Sequence, residues 1–244
     1  MGNAYEERLG TDRMLPLIFK MSLPAVAAQL VNLLYNIVDR IYIGHIPGIG
    51  TDALAGIGVT SAVIILISSF SAIVGAGGSP LAAIALGQGN RERAGQILGN
   101  GFILLLIFTI LTSATTYLFM EPILLFTGAS ENTIGYTTDY LSIYLLGTLF
   151  VELSVGLNTF INTQGRPTIA MYSVLIGAIL NIGLDPLFIF TFGMGVKGAA
   201  LATILSQACS AIWVISFLTS KKASLRLEYR YMKLHKASYS PFWR

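Results

Sequence analysis

Six long apolar blocks, roughly residues 17 to 44, 53 to 85, 96 to 120, 134 to 162, 168 to 192 and 198 to 220, leave this chain few ways to fold. Each reaches the about 20 helical residues that cross a ~30 Å hydrocarbon core. Within a bilayer only helices and closed barrels satisfy their own backbone. A barrel would need short segments of alternating polarity, and none is present. The 244 residues are 54% hydrophobic and 11% charged, far from the about 25% charged residues of soluble domains. The expected fold is therefore an all-α membrane protein, a six-transmembrane-helix bundle over 17–220, with a lead-in over 1–16 and a basic tail over 221–244.

Charge placement orients the bundle. Arg8, Arg13 and Lys20 precede the first span, Arg91 and Arg93 lie between the second and third, Arg166 between the fourth and fifth, and seven Lys or Arg follow Thr219. The alternate connections carry only Lys197. By the positive-inside rule both termini are cytoplasmic, with the protein multi-pass in the cell membrane. Arg40 is the outlier at the outer end of the first span, explained by snorkelling or by pairing with a carboxylate. The first apolar run exceeds a signal-peptide core and lacks a cleavage site, and Glu6 breaks the myristoylation pattern, so insertion of the whole chain is expected.

Enzyme chemistry has no foothold. There is no HExxH or GxSxG, and His45 and His235 lie at opposite membrane faces. Cys209 has no partner in the chain, permits no disulfide, and reads as packing. LGQGNRERAGQ lacks the Lys-Ser/Thr ending of a phosphate loop, and GMGVKG matches GxGxxG without a βαβ unit, so both are turns. No cofactor and no nucleic-acid partner is expected; the partner is the lipid bilayer.

The informative residues are the polar ones at membrane depth. In SLPAVAAQLVNLLYNIVDRIYIG, residues 22 to 44, Gln29, Asn32, Asn36 and Asp39 recur at steps of 3, 4 and 3, a stripe about 80° wide on a helix. An ionisable group there normally faces the bundle interior or a wet cavity. The amides could equally join helices by hydrogen bonds. Pro24 falls in the first turns of the same span, where it can kink the helix or sit at its start. Small residues at Ser68, Ser71, Ala72, Gly75 and Ser79 make a packing seam on the second span. The fourth carries Glu152, about 120° from the face shared by Asn158 and Asn162. Its carboxylate either lines a cavity or is satisfied by a neighbouring helix.

On the fifth span Asn181 and Asp185 are i, i+4, and Pro186 frees a carbonyl one turn earlier; the sixth presents Thr203 and Gln207, again i, i+4. Counting along the spans places Asp39, Asp185 and Thr203 at a common depth, roughly 8 to 10 Å below the outer surface. Asp39, Asn181, Asp185 and Thr203 would then form an oxygen-rich site for a hard cation such as Na+ or for a shared proton. A purely structural polar cluster is the competing reading. Gln29, Asn32, Asn36, Glu152, Asn158 and Gln207 are candidate cavity-lining residues.

The chain resembles the multidrug and toxic compound extrusion (MATE) transporters over nearly its whole length. The likeness rests on SLP with the Asp of NIVDRIYIG fifteen residues on, LGQGN after the second span, GLNTFINTQGRP closing the fourth, NIGLDP in the fifth and GVKGAALATILSQ opening the sixth. It implies an antiporter of amphipathic cationic drugs driven by inward Na+ or H+. It also implies that Asp39, Asn181, Asp185 and Thr203 form the amino-terminal lobe's cation or proton site, and that Pro24 is where the first span bends. The family has twelve spans in two lobes, and this chain has one lobe. Residues 221–244 resemble the inter-lobe linker, and Ser240-Pro241-Phe242 the opening of a seventh span. The expectation is a truncated transporter, or a half that pairs with itself or with another half. A nonfunctional or regulatory fragment is the alternative. A flippase for a lipid-linked precursor is a further one, disfavoured because the charges at membrane depth are mainly acidic.

Overall fold

The computed structural model describes residues 14–232. Seven α-helices run in order: α1 (Met14–Gly44), α2 (Gly50–Gly87), α3 (Arg91–Leu118), the short α4 (Met120–Phe126), α5 (Ile134–Thr163), α6 (Pro167–Pro186) and α7 (Val196–Thr219). A π-helical turn, Leu187–Thr191, extends α6, and a 3₁₀ turn, Tyr229–Tyr231, follows α7. Six of these helices are long and apolar enough to cross a membrane, and among the described residues there is no strand. The expected six spans hold, each boundary within a few residues. The lead-in expected over 1–16 lies outside the described residues up to 13, and Met14 already begins α1. Ser240-Pro241-Phe242 also lies outside the described residues.

The connections are short because their residues permit sharp reversals. Between α1 and α2, Gly50 packs so closely on the Gly44 carbonyl that no Cβ would fit. Between α2 and α3, Gly89 takes φ +74°, and the Asn90 side chain caps α3 by accepting from the Arg93 N–H at 3.0 Å. Met120 and Leu124 of α4 pack with Val63, Ile67, Leu141 and Leu145, which fixes the long connection between α3 and α5.

The helices pack around α5, whose apolar stretch is the most buried of the six. In lipid there is no hydrophobic drive between helices, so close approach and dispersion must hold them. Gly147 meets Ile204 of α7, Gly156 meets Leu105 of α3, and Gly75 of α2 meets Thr159. In the α2 seam Ser71 and Gly75 are buried but Ala72 is exposed, so it does not belong to that seam. Cys209 is exposed on α7 and is not a packing residue. α1 is different from the rest. It lies mainly on α6, and none of its most apolar stretch is buried. Pro24 sits inside α1, not at its start, and supplies no amide to the turn before it.

Residues 220–232 fold back as a strap across the basic end of the bundle. Leu225 is 1% exposed, and its N–H donates to Gln164 Oε1 at 3.0 Å. Leu227 N–H donates to the Leu218 carbonyl at 2.9 Å. Tyr231 lies directly on Gly95 and Gly99 of α3. A cavity of about 510 Å³ remains between the strap and the start of α3, with Arg91, Arg226 and Arg230 in its wall.

Burial of Leu225 makes the strap part of the folding unit. Leu225→Ala should cost about 2–5 kcal/mol and lower the melting temperature in detergent, whereas Leu146→Ala, at a position 76% exposed, should leave it nearly unchanged. Equal melting of the two variants would show that the strap is loosely held.

Candidate functional site

The far end of α6 sets the site. Pro186 supplies no amide, and the wider turn of Leu187–Thr191 comes next, closed by the Phe192 N–H donating to the Leu187 carbonyl at 2.9 Å. The irregular turn begins directly after the Asp185–Pro186 step; Asp185 is wholly buried, and Asn181 lies one turn earlier at 2% exposure. Asn181 Nδ2 donates to Asp185 Oδ1 at 3.2 Å and, more weakly, to Thr203 Oγ1 of α7 at 3.4 Å. One amide group thus ties two helices to one carboxyl. From α1 the Asp39 carboxyl comes within hydrogen-bonding reach of Asp185. Tyr42, three residues on, meets Phe190 of the π turn edge to face at 6.3 Å.

Three oxygens here are buried without a hydrogen-bond partner: Asp39 Oδ1, Asn181 Oδ1 and Asp185 Oδ2. A buried acceptor left without a donor is costly. Carboxyl, amide and hydroxyl oxygens of Asp39, Asn181, Asp185 and Thr203 are of the chemical type that hard cations take as ligands. The same two carboxyls can share one proton. No cluster of three His, Cys, Asp or Glu occurs among the described residues.

Aromatic hydroxyls complete the surroundings. Tyr35, one turn before Asp39, is in electrostatic reach of both carboxyls and in hydrogen-bonding reach of Asn36 and Gln207. Tyr140 of α5 reaches Thr203 and lies near Asp39, and it stacks on Tyr144 with ring centres 6.0 Å apart. Sequence reasoning missed these tyrosines. The spacing of Tyr35 from Asp39, one turn on the same face, was the available signal.

The other polar residues divide. Asn36 Nδ2 donates to the Asn32 carbonyl at 2.7 Å, so these amides bond within α1 and do not join helices. Gln29 and Asn36 are exposed along α1. Asn158 Nδ2 donates to the Ala170 carbonyl of α6 at 3.2 Å, while Asn162 is exposed. Gln207 accepts from Ser154 Oγ at 2.8 Å. Glu152, 2% exposed, accepts from Ser68 Oγ of α2 at 3.1 Å. Lys197 pairs with Asp139 at 3.3 Å on the exposed rim.

Comparison with known proteins adds a second line. A family model described as MatE matches residues 24–187. Multidrug export protein MepA of Staphylococcus haemolyticus is 29% identical, over 88% of this chain and 47% of that protein. The FAD transporter of Shewanella oneidensis is 34% identical, over 78% of this chain and 42% of that one. A crystal structure of MATE in the bent conformation superposes with a TM-score of 0.78 at 28% identity, covering 86% of this chain and 46% of the other. The chain spans about half the length of the curated relatives it matches.

Removing the amide that bridges the site should be felt at once. A hydrogen bond to a charged group contributes about 1.5–3 kcal/mol, so Asn181→Leu should weaken binding of ²²Na+ to the purified chain roughly tenfold or more. Unchanged binding would show that Asn181 is no part of a cation site.

Proposed function

The chain belongs to the MatE family of multidrug and toxic compound extrusion transporters, and on that premise we propose that it is the ion-coupled lobe of an exporter of amphipathic cationic drugs, driven by inward movement of Na+ or H+. The observation that carries this reading is the meeting of Asp39 and Asp185, each with one buried oxygen lacking a hydrogen-bond partner, beside the partnerless Asn181 Oδ1. Two carboxylates about 4 Å apart repel by about 4 kcal/mol at an effective dielectric of about 20. A proton or Na+ between them cancels that repulsion. Moving an equilibrium from 1:99 to 99:1 takes about 5.5 kcal/mol of differential affinity, so loading this site biases the bundle to the extent that the two carboxyls lie closer in one state than in the other.

α1 is the element that responds. Asp185 is fixed in the α6–α7 frame, while Asp39 rides on a helix that buries little of its apolar surface and is weakened at Pro24. Ion occupancy draws α1 toward α6 and ion release lets it move, biasing the bundle between inward- and outward-open states. Pro24 is the hinge of that motion. Gln29, Asn32 and Asn36 on α1, with Asn158 and Gln207, line the drug cavity, whose other wall is a second lobe or a second copy of this chain. The basic end faces the cytoplasm, with both termini on the cytoplasmic side of the cell membrane.

A second substrate reading comes from the similarity to an FAD transporter, which favours an anionic dinucleotide as cargo. One assay separates these readings. With the full chain in proteoliposomes under an imposed Na+ or H+ gradient, ethidium should be exported. Asp39→Asn and Asp185→Asn should each abolish that export without altering membrane insertion; undiminished transport in both rejects the coupling site. Transport of FAD in place of ethidium would select the anionic cargo. Crosslinked dimers accompanying efflux support pairing of halves, and an unassembled monomer without efflux supports the nonfunctional fragment.

A further inference from the structure

Glu152 is a buried acidic side chain that the coupling site does not use. On α5, Tyr140, Tyr144, Thr148 and Glu152 recur every four residues, all nearly or wholly buried. Glu152 stands about 18 Å along the helix from the level of Tyr140 and the Asp39–Asp185 pair. Its hydrogen-bond donors come from one neighbouring helix. From α2, Ser68 Oγ donates to Oε1 at 3.1 Å and Ser71 also lies in hydrogen-bonding reach. On α5 itself, Tyr144 is the titratable group in electrostatic reach. α7 presents Gln207, whose oxygen is taken by Ser154 at 2.8 Å, and α3 presents Leu105 one turn away, against Gly156. The salt bridges among the described residues, Lys197 with Asp139 and Arg230 with Glu228, do not involve it.

An intramembrane carboxyl without a cationic partner is the kind of group that takes part in ion or proton movement. Its surroundings say which. Around Asp39, three oxygens lack donors; around Glu152, Ser68 and Ser71 of α2 supply hydrogens, the Ser71 backbone included. A hard cation gathers about six oxygens, which one carboxyl and two serines cannot supply. A proton needs a single oxygen.

We propose that Glu152 is a second ion-exchanging carboxyl of the bundle, separate from the Asp39–Asp185 site and selective for H+ over Na+. A proton from water forms an O–H bond on the Glu152 carboxylate while Ser68 keeps donating to a remaining lone pair. Release reverses the step, with no other reactant. Because Glu152 is sealed between α2 and α5, exchange requires water to part that contact, so its protonation tracks the opening of one helix pair. The assignment stands on the geometry at Glu152; only the contrast with Na+ leans on the proposed coupling site.

The test is infrared difference spectroscopy on the full chain in lipid nanodiscs. Raising the pH at constant Na+ should remove a carboxyl C=O signal that Glu152→Gln lacks, and adding Na+ at constant pH should leave that signal in place. Na+ should instead change a signal lost in the Asp39→Asn, Asp185→Asn double variant. Glu152→Gln, shown by melting to be folded, that keeps the full pH-dependent signal would overturn the proposal, as would a Glu152 signal that responds to Na+. Should Glu152→Gln not fold, Ser68→Ala carries the test: a moved pH midpoint supports the assignment and an unmoved one overturns it. If only the Glu152 signal exists, the Asp39–Asp185 coupling reading fails while this one stands.

Discussion

Two carboxyl groups that face each other at membrane depth impose the terms on everything around them. Burial takes from Asp39 and Asp185 most of the water that would soften their charge, and Arg40 is the cation in electrostatic reach of Asp39. The bundle divides its labour accordingly. α6 and α7 hold Asp185, Asn181 and Thr203 in a fixed frame, tied by one amide that serves both helices. α1 holds Asp39 on a helix with little buried surface and a backbone hydrogen bond missing at Pro24. Of the helices that meet at the pair, α1 is the one whose most apolar stretch is not buried at all.

Much of this was legible in the residues, and the physical reasons differ from part to part. The spans stood out because twenty apolar residues in a row have few alternatives in a chain so poor in charge. Asn181, Asp185 and Thr203 could be brought together by counting, since helical rise converts position in a span into depth. Rotation about each helix axis could not be counted. Ala72 looks like the rest of its seam in a sequence, yet it points outward, and Cys209 is exposed for the same reason: lipid accepts small and apolar side chains as readily as a protein interior does. The partner of Glu152 depended on how α2 turns toward α5. Tyr140 was hidden by its chemistry, because a tyrosine on an apolar helix reads as core until a polar neighbour is seen at its hydroxyl.

The strap was hidden in another way. Residues 221–244 announce themselves by charge, and a run of lysine and arginine beside a membrane suggests a segment lying on anionic headgroups. In the described part of that run the apolar residues decide instead. Ala223, Leu225, Leu227 and Tyr231 alternate with the polar ones and are buried, while Gln164 supplies the hydrogen bond that a loose backbone would have taken from water. The basic side chains are what remains outside. Three helix ends, those of α3, α5 and α7, are tied together by it.

The wide turn beyond Asp185 holds one residue more per turn than an α-helix would use. That surplus is slack in the geometric sense: it turns the segment beyond Thr191 out of phase with α6. Phe190 sits on the slack, and its ring rests against Tyr42. A change in winding at this point would therefore be carried sideways to the Tyr42 end of α1.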